Sequence, residues 1–204
     1  MTCIIAIKTD KEVYIGGDLL GSSPYNKGVV KHDKVFCSGD MIFGYCGSFR
    51  AGDILKYYFV PPQRVVGEDT MTYLVTGVIA SVRQVLAQNN FEASPHDSES
   101  YMNASFILCY EGRIFDIQED YSVLEWDDNV ICIGSGQQVC KAYAQALMDT
   151  LFDSDEFYSK KKNKNSLSPE QVIVSALQYT ETVIPSVGGI GTIYKQPILE
   201  INNE

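Results

Sequence analysis

The chain has 204 residues, 45% apolar and 21% charged, with a formal net charge of −10; this excludes a disordered or fibrous chain and fits one globular domain over residues 1–204. The acidic balance argues against a sequence-independent grip on nucleic acid, which needs a basic face to displace counterions, and against an anionic membrane surface. The uninterrupted apolar runs are too short to span a membrane and the first residues lack the regions of a secretory signal, so the chain is read as cytoplasmic.

In chain order, residues 2–8 predict a short apolar strand, Thr9 to Glu12 a polar turn, and Val13 to Asp18 the returning strand. A loop rich in Gly, Ser, Pro and Asn follows from Leu19 to about Lys31, then short strands at Val35–Cys37 and Met41–Cys46. The period then changes to helical. Ile54, Leu55, Tyr58 and Phe59 mark one helix over Phe49–Phe59, and Leu74, Val78, Val82, Val85 and Leu86 mark a second over Thr70–Gln88. Residues 89–101 read as loop. Strands return at 104–110, 113–117, 123–126 and 130–133, and Gly134-Ser135-Gly136 opens a third helix to Leu151.

The lysine-rich cluster at 160–164 reads as a solvated loop. Ser168-Pro169-Glu170-Gln171 then starts a fourth helix, with Ser as N-cap, Pro in the first turn and Gln three residues after the cap. The chain closes with strands at Gly191–Tyr194 and Ile198–Ile201. Strands, two helices, strands, two helices and strands fit an α+β protein with two antiparallel sheets between helix pairs. A parallel βαβ sheet would alternate strictly.

The six cysteines form no CxxC pair and mostly sit in apolar strand-like runs, so they read as buried reduced thiols rather than zinc ligands. The histidines, His32 and His96, fall in polar turns without a Ser or Cys motif, which disfavours a Ser-His-Asp or Cys-His site. Gly134-Ser135-Gly136 lacks the third glycine of a dinucleotide fingerprint and the Lys-Ser/Thr of a P-loop, so it reads as a tight strand-to-helix turn.

Chemistry concentrates at the other end. Thr2 follows Met1 and is small enough for methionine aminopeptidase to expose it as the first residue. A terminal threonine has its own α-amine, pKa about 7.7–8, to accept the hydroxyl proton near neutral pH. If the first two strands pair across the Thr9–Glu12 turn, Thr2 and Asp18 come together. A lysine held there by Asp18 would stay charged and lower the pKa of the Thr2 hydroxyl and amine. Gly47, between a strand and a helix, has a backbone N–H placed to hold an oxyanion.

Thr2, Asp18 sixteen residues on and Lys34 sixteen further resemble the catalytic pattern of the proteasome β-subunit and HslV-type family of N-terminal nucleophile hydrolases. Thr2–Ile7, Tyr14–Asp18 and Gly44–Ser48 resemble that family's first strands and the glycine turn before its first helix. Ile133–Gly136 is similar to its second glycine turn. Met directly before Thr is similar to HslV, the bacterial proteasome-like peptidase.

The resemblance implies a four-layer αββα sandwich and a threonine-type endopeptidase. Thr2 would be nucleophile, Asp18 and Lys34 the supporting ion pair, Gly47 the oxyanion donor and Ser135 the serine that positions the amine. It further implies peptide or unfolded polypeptide substrates, a homo-oligomeric ring often fed by a separate ATPase unfoldase, and no cofactor or metal. Two features depart from the pattern. Lys31 competes with Lys34 as the matching lysine. Ile184 and Val187 stand where the family carries an Asp and a Ser supporting the amine, with Glu181 and Ser186 nearby as substitutes. A catalytically inactive ring or assembly subunit is therefore the alternative reading.

Overall fold

A computed structural model describes residues 2–22, 25–91, 101–152 and 167–198. In chain order its strands are β1 (Ile4–Lys8), β2 (Glu12–Gly17), β3 (Leu20–Ser22), β4 (Lys27–Val29), β5 (Val35–Ser38) and β6 (Met41–Gly47). Helices α1 (Phe49–Tyr58) and α2 (Thr70–Gln88) follow. Then come β7 (Ala104–Tyr110), β8 (Arg113–Ile117), β9 (Val123–Leu124), β10 (Val130–Ile133), α3 (Gln137–Phe152), α4 (Pro169–Val183) and β11 (Tyr194–Pro197).

The sheets are antiparallel, with strand orders β10-β1-β2-β11 and β5-β6-β7-β8-β9, and β3 pairs with β4 in a separate hairpin. The first hairpin closes as expected. Lys8 pairs with Val13, Thr9 donates its N–H to the Glu12 carbonyl at 2.9 Å, and Thr9 Oγ1 donates to the same oxygen at 2.8 Å.

Side chains alternate across a strand, and β1 is apolar on both faces for that reason. Ile5 and Ile7 join Cys140, Ala144, Ile173 and Leu177 of α3 and α4. Ile4 and Ala6 instead meet residues of the other sheet, including Val35, Ile42, Ile107 and Ile114. The opposite face of that second sheet packs Phe43, Tyr45, Phe106 and Phe115 against Ile54 and Leu55 of α1 and Leu74, Val78 and Val82 of α2. Phe43 stacks on Phe36 with ring centroids 5.5 Å apart and meets Phe59 edge-on.

α4 begins with a complete capping box, the Ser168 side chain accepting from the Gln171 N–H and the Gln171 side chain accepting from the Ser168 N–H. α2 contains a π-helical segment, Tyr73–Val78, which its regular apolar spacing does not foreshadow. With 19 residues of mean hydropathy 1.2, α2 is long and apolar enough to cross a membrane by length and composition alone. Counting uninterrupted apolar runs passes over it, because Thr72, Thr76 and Gly77 break the run. Tyr73, Leu74, Val78, Ile79, Val82 and Leu86 are nevertheless buried within the protein core.

The other differences have local causes. The loop expected from Leu19 to Lys31 contains the β3–β4 hairpin, whose Gly21–Gly28 pair gives no apolar alternation to read. The late strand lies at Tyr194–Pro197 rather than Gly191–Tyr194, because Thr192 is held by Asp33 through its N–H at 2.9 Å and its hydroxyl at 2.7 Å. The 123–126 strand stops at Leu124. Tyr58 is exposed, with Phe59 turning inward at the end of α1. Cys37 is exposed, while Cys3, Cys109 and Cys140 are buried; all six thiols are free. His96, the lysine cluster at 160–164 and most of the strand expected at 198–201 lie outside the described residues.

Candidate active site

The β1–β2 register brings the two strand ends together. Ile4 pairs with Gly17, and the Asp18 N–H donates to the Cys3 carbonyl at 3.0 Å. Asp18 is wholly buried and its carboxylate is saturated. Oδ1 accepts from the Cys3 N–H at 2.9 Å and from Lys34 Nζ at 2.8 Å. Oδ2 accepts from the Leu20 N–H at 3.0 Å and the Gly188 N–H at 3.2 Å. A carboxylate offers about four acceptor positions, and each has a donor here.

Lys34 enters from the segment before β5 and is also buried. Its ammonium donates to Asp18 Oδ1, to the Leu20 carbonyl at 2.8 Å and to Thr2 Oγ1 at 3.1 Å. Three donors are all an ammonium has, so one of them is committed to the Thr2 hydroxyl. Burial pushes the Lys34 ammonium below the ordinary lysine range, and the Asp18 carboxylate opposes that shift. Lys34 thus meets the requirement the sequence left open against Lys31, which is exposed.

Thr2 itself is 2% exposed. Its N–H donates to Ser135 Oγ at 3.3 Å, and Ser135 Oγ lies 3.4 Å from the Thr2 carbonyl oxygen. The turn holding Ser135 requires glycine at its head. Gly134 has φ +94°, and a Cβ there would run into the Thr2 carbonyl oxygen. Gly47, with φ +90°, ends β6 directly before the α1 N-cap Ser48, whose Oγ accepts from the Ala51 N–H at 3.3 Å. A Cβ on Gly47 would sit 2.7 Å from the Asn103 carbonyl oxygen. Its neighbour Cys46 has its Cβ 3.3 Å from where a Gly134 Cβ would lie, so the two glycine turns adjoin.

The structure therefore gathers Thr2, Asp18, Lys34 and Ser135 in hydrogen-bonding contact and sets Gly47 on the adjoining turn. Ser186 completes the group, its Oγ 2.9 Å from Ser135 Oγ. Gly188 enters through its backbone alone. The sequence offers Ser186 only as one of two substitutes for the missing polar pair and carries no signal for the backbone role of Gly188. Ile184 and Val187 point into the apolar cluster under α3 and α4, which explains why neither is polar. Glu181 lies on the exposed side of α4 near Gly188. Among the described residues no group of three or more His, Cys, Asp or Glu side chains is arranged to hold a metal ion.

The fold is similar to those of solved structures. HslV from Trypanosoma brucei superposes with a TM-score of 0.60 at 14% identity, covering 95% of this chain and 98% of that one. This chain has the HslV fold. BPH from Thiobacillus denitrificans is also similar, with a TM-score of 0.75 at 17% identity over 97% of this chain and 99% of that one. A second BPH structure, in complex with epoxomicin, gives 0.71 at 18% identity over the same shares. No protein-family model matches the sequence. The likeness bears out the α+β HslV-type fold implied by the first strands and glycine turns.

Removing one partner of a buried ion pair leaves the other charge unpaired, at a cost of about 3–5 kcal/mol. Asp18→Ala is therefore expected to lose about that much in denaturant unfolding, whereas Lys31→Ala is expected to be near neutral.

Proposed function

We propose that this chain is a proteasome-like N-terminal nucleophile hydrolase, a threonine-type endopeptidase acting within a homo-oligomeric ring. The observation that carries the proposal is the Lys34 ammonium, buried, paired with Asp18 and donating to Thr2 Oγ1 at 3.1 Å. An inert core has no use for a buried cation aimed at a hydroxyl. The proposed domain is the four-layer αββα sandwich; the three hydrophobic clusters, two between helices and a sheet and one where the sheets meet, support that order.

In this reading Met1 is removed and Thr2 carries a free α-amine. The amine takes the Thr2 hydroxyl proton as Oγ1 attacks the peptide carbonyl carbon. Lys34 stabilises the developing alkoxide, and the Gly47 N–H receives the tetrahedral oxyanion. The amine then passes its proton to the leaving peptide nitrogen, and water hydrolyses the resulting ester. Ser135, braced by Ser186, orients the amine. Ring formation is supported by the exposed apolar side chains Tyr57, Tyr58, Val60 and Val66 at and beyond the end of α1.

A second reading, an inactive ring subunit, is favoured by one observation: Ile184 and Val187 fill core positions where the resemblance expects Asp and Ser. Fluorogenic peptide hydrolysis separates the two. Thr2→Ala is expected to abolish turnover while leaving the oligomer intact. Unchanged turnover refutes the threonine mechanism, and an inert wild type that elutes as a ring favours the second reading.

The pH profile gives an independent check. Activity needs a neutral α-amine, so it rises through that amine's pKa, which the adjacent Lys34 cation is expected to hold below the ordinary value of about 7.7–8. It also needs a protonated Lys34, whose pKa is lowered, so the alkaline limb falls below the ordinary lysine range. Because the Asp18 carboxylate raises the Lys34 pKa, Asp18→Asn is expected to move that limb to still lower pH.

A further inference from the structure

Phe49 is the first residue of α1, and core packing alone accounts for it poorly. Ala51, Ile54 and Leu55 anchor the helix and are buried, whereas Phe49 is only half-buried against the same cluster. It lines a cavity of about 500 Å³ with Val29, Val30, His32 and Asp53. Lys34, 1% exposed, does not line that cavity. Tyr45 and His32 meet the Phe49 ring edge-on, with centroids 6.1 and 6.4 Å away. The Lys34 ammonium lies over the ring, 5.7 Å from its centroid. An aromatic face attracts a cation within about 6 Å, and more strongly when the pair is out of water.

A ring suits this place better than a polar group would. Lys34 has three N–H donors, given to Asp18 Oδ1, the Leu20 carbonyl and Thr2 Oγ1. A further oxygen acceptor beside the ammonium would compete with Thr2 for the third donor. A ring face stabilises the same charge through its quadrupole and needs no N–H aimed at it.

The charge has need of that support. Burial pushes the Lys34 ammonium down, and the Asp18 carboxylate opposes the shift. The other titratable side chains acting on it are the Cys3 and Cys46 thiols. Both lie above the ordinary thiol range, Cys3 through Cys140 and burial and Cys46 through burial, so they are neutral near pH 7. A freed Thr2 α-amine adds only positive charge. His32 and Asp53 share the cavity with the ring.

We propose that Phe49 is a positioning residue for Lys34: its ring face stabilises the ammonium without taking a hydrogen bond and so leaves the third N–H to the Thr2 hydroxyl. The consequence for turnover rests on the threonine chemistry proposed above; the consequence for the ammonium does not.

Stepwise fluorination tests the ring face with little change of size. Mono-, di- and trifluorophenylalanine are placed at position 49 of the full-length protein by stop-codon suppression. The thermal unfolding midpoint at neutral pH is expected to fall with each fluorine, by about 2 °C or more across the series. In active protein the alkaline limb of peptide hydrolysis is expected to move to lower pH by about half a unit or more. Phe49→Leu is expected at the far end of both trends and Phe49→Tyr near wild type. A residue that only packed would not order its variants by the charge on its ring face.

Midpoints and limbs that fall in step with fluorination uphold the proposal. A midpoint that stays flat or rises across the series overturns it, as does an unmoved limb in an active enzyme. A wild type that hydrolyses no peptide counts against the threonine chemistry alone, and the midpoint series then decides whether Phe49 holds Lys34.

Discussion

Taking an ammonium and a carboxylate out of water costs several kcal/mol for each ion, and the structure is arranged around one such pair. Lys34 and Asp18 are both buried, 2.8 Å apart. They persist because every remaining proton and lone pair is met: Asp18 by the backbone of Cys3, Leu20 and Gly188, and Lys34 by the Leu20 carbonyl and the Thr2 hydroxyl. The chain segments that supply these groups are far apart in sequence. Displacing any of them exposes a buried charge, so the pair ties the first hairpin, the β3–β4 hairpin, the strand entering β5 and the segment after α4 to one geometry.

The same constraint makes the Thr2 hydroxyl chemically distinctive. A hydroxyl in a core ordinarily finds a neutral backbone partner; this one faces a cation with no other acceptor left to choose. The two glycine turns work on the other side. Gly134 lets a helix start against the Thr2 carbonyl, and Gly47 lets β6 turn into α1 against the Asn103 carbonyl.

Much of this was legible in the chain. The β1–β2 pairing follows from two short apolar runs on either side of a polar turn, and with it the approach of Thr2 and Asp18. The capping box at Ser168 and the apolar face of α2 were equally plain. Other parts were not. The β3–β4 hairpin hides behind Gly21 and Gly28, which carry no side-chain pattern. Ser186 was one of two nearby substitutes, and only the tertiary fold sets its Oγ against Ser135 rather than bringing Glu181 there. The roles of Gly188 and Leu20 run through backbone atoms, which any residue possesses. The place of the Phe49 ring over the Lys34 ammonium depends on tertiary packing, with no local signature.

The central claim is that Thr2 acts through both its hydroxyl and a freed α-amine. An epoxyketone such as epoxomicin tests both at once, since its warhead closes a ring with the hydroxyl and amine of a terminal threonine. Intact mass measured before and after incubation is expected to show loss of Met1 and one covalent adduct, with no adduct on Thr2→Ala. A chain that keeps Met1 and takes no adduct would contradict the account.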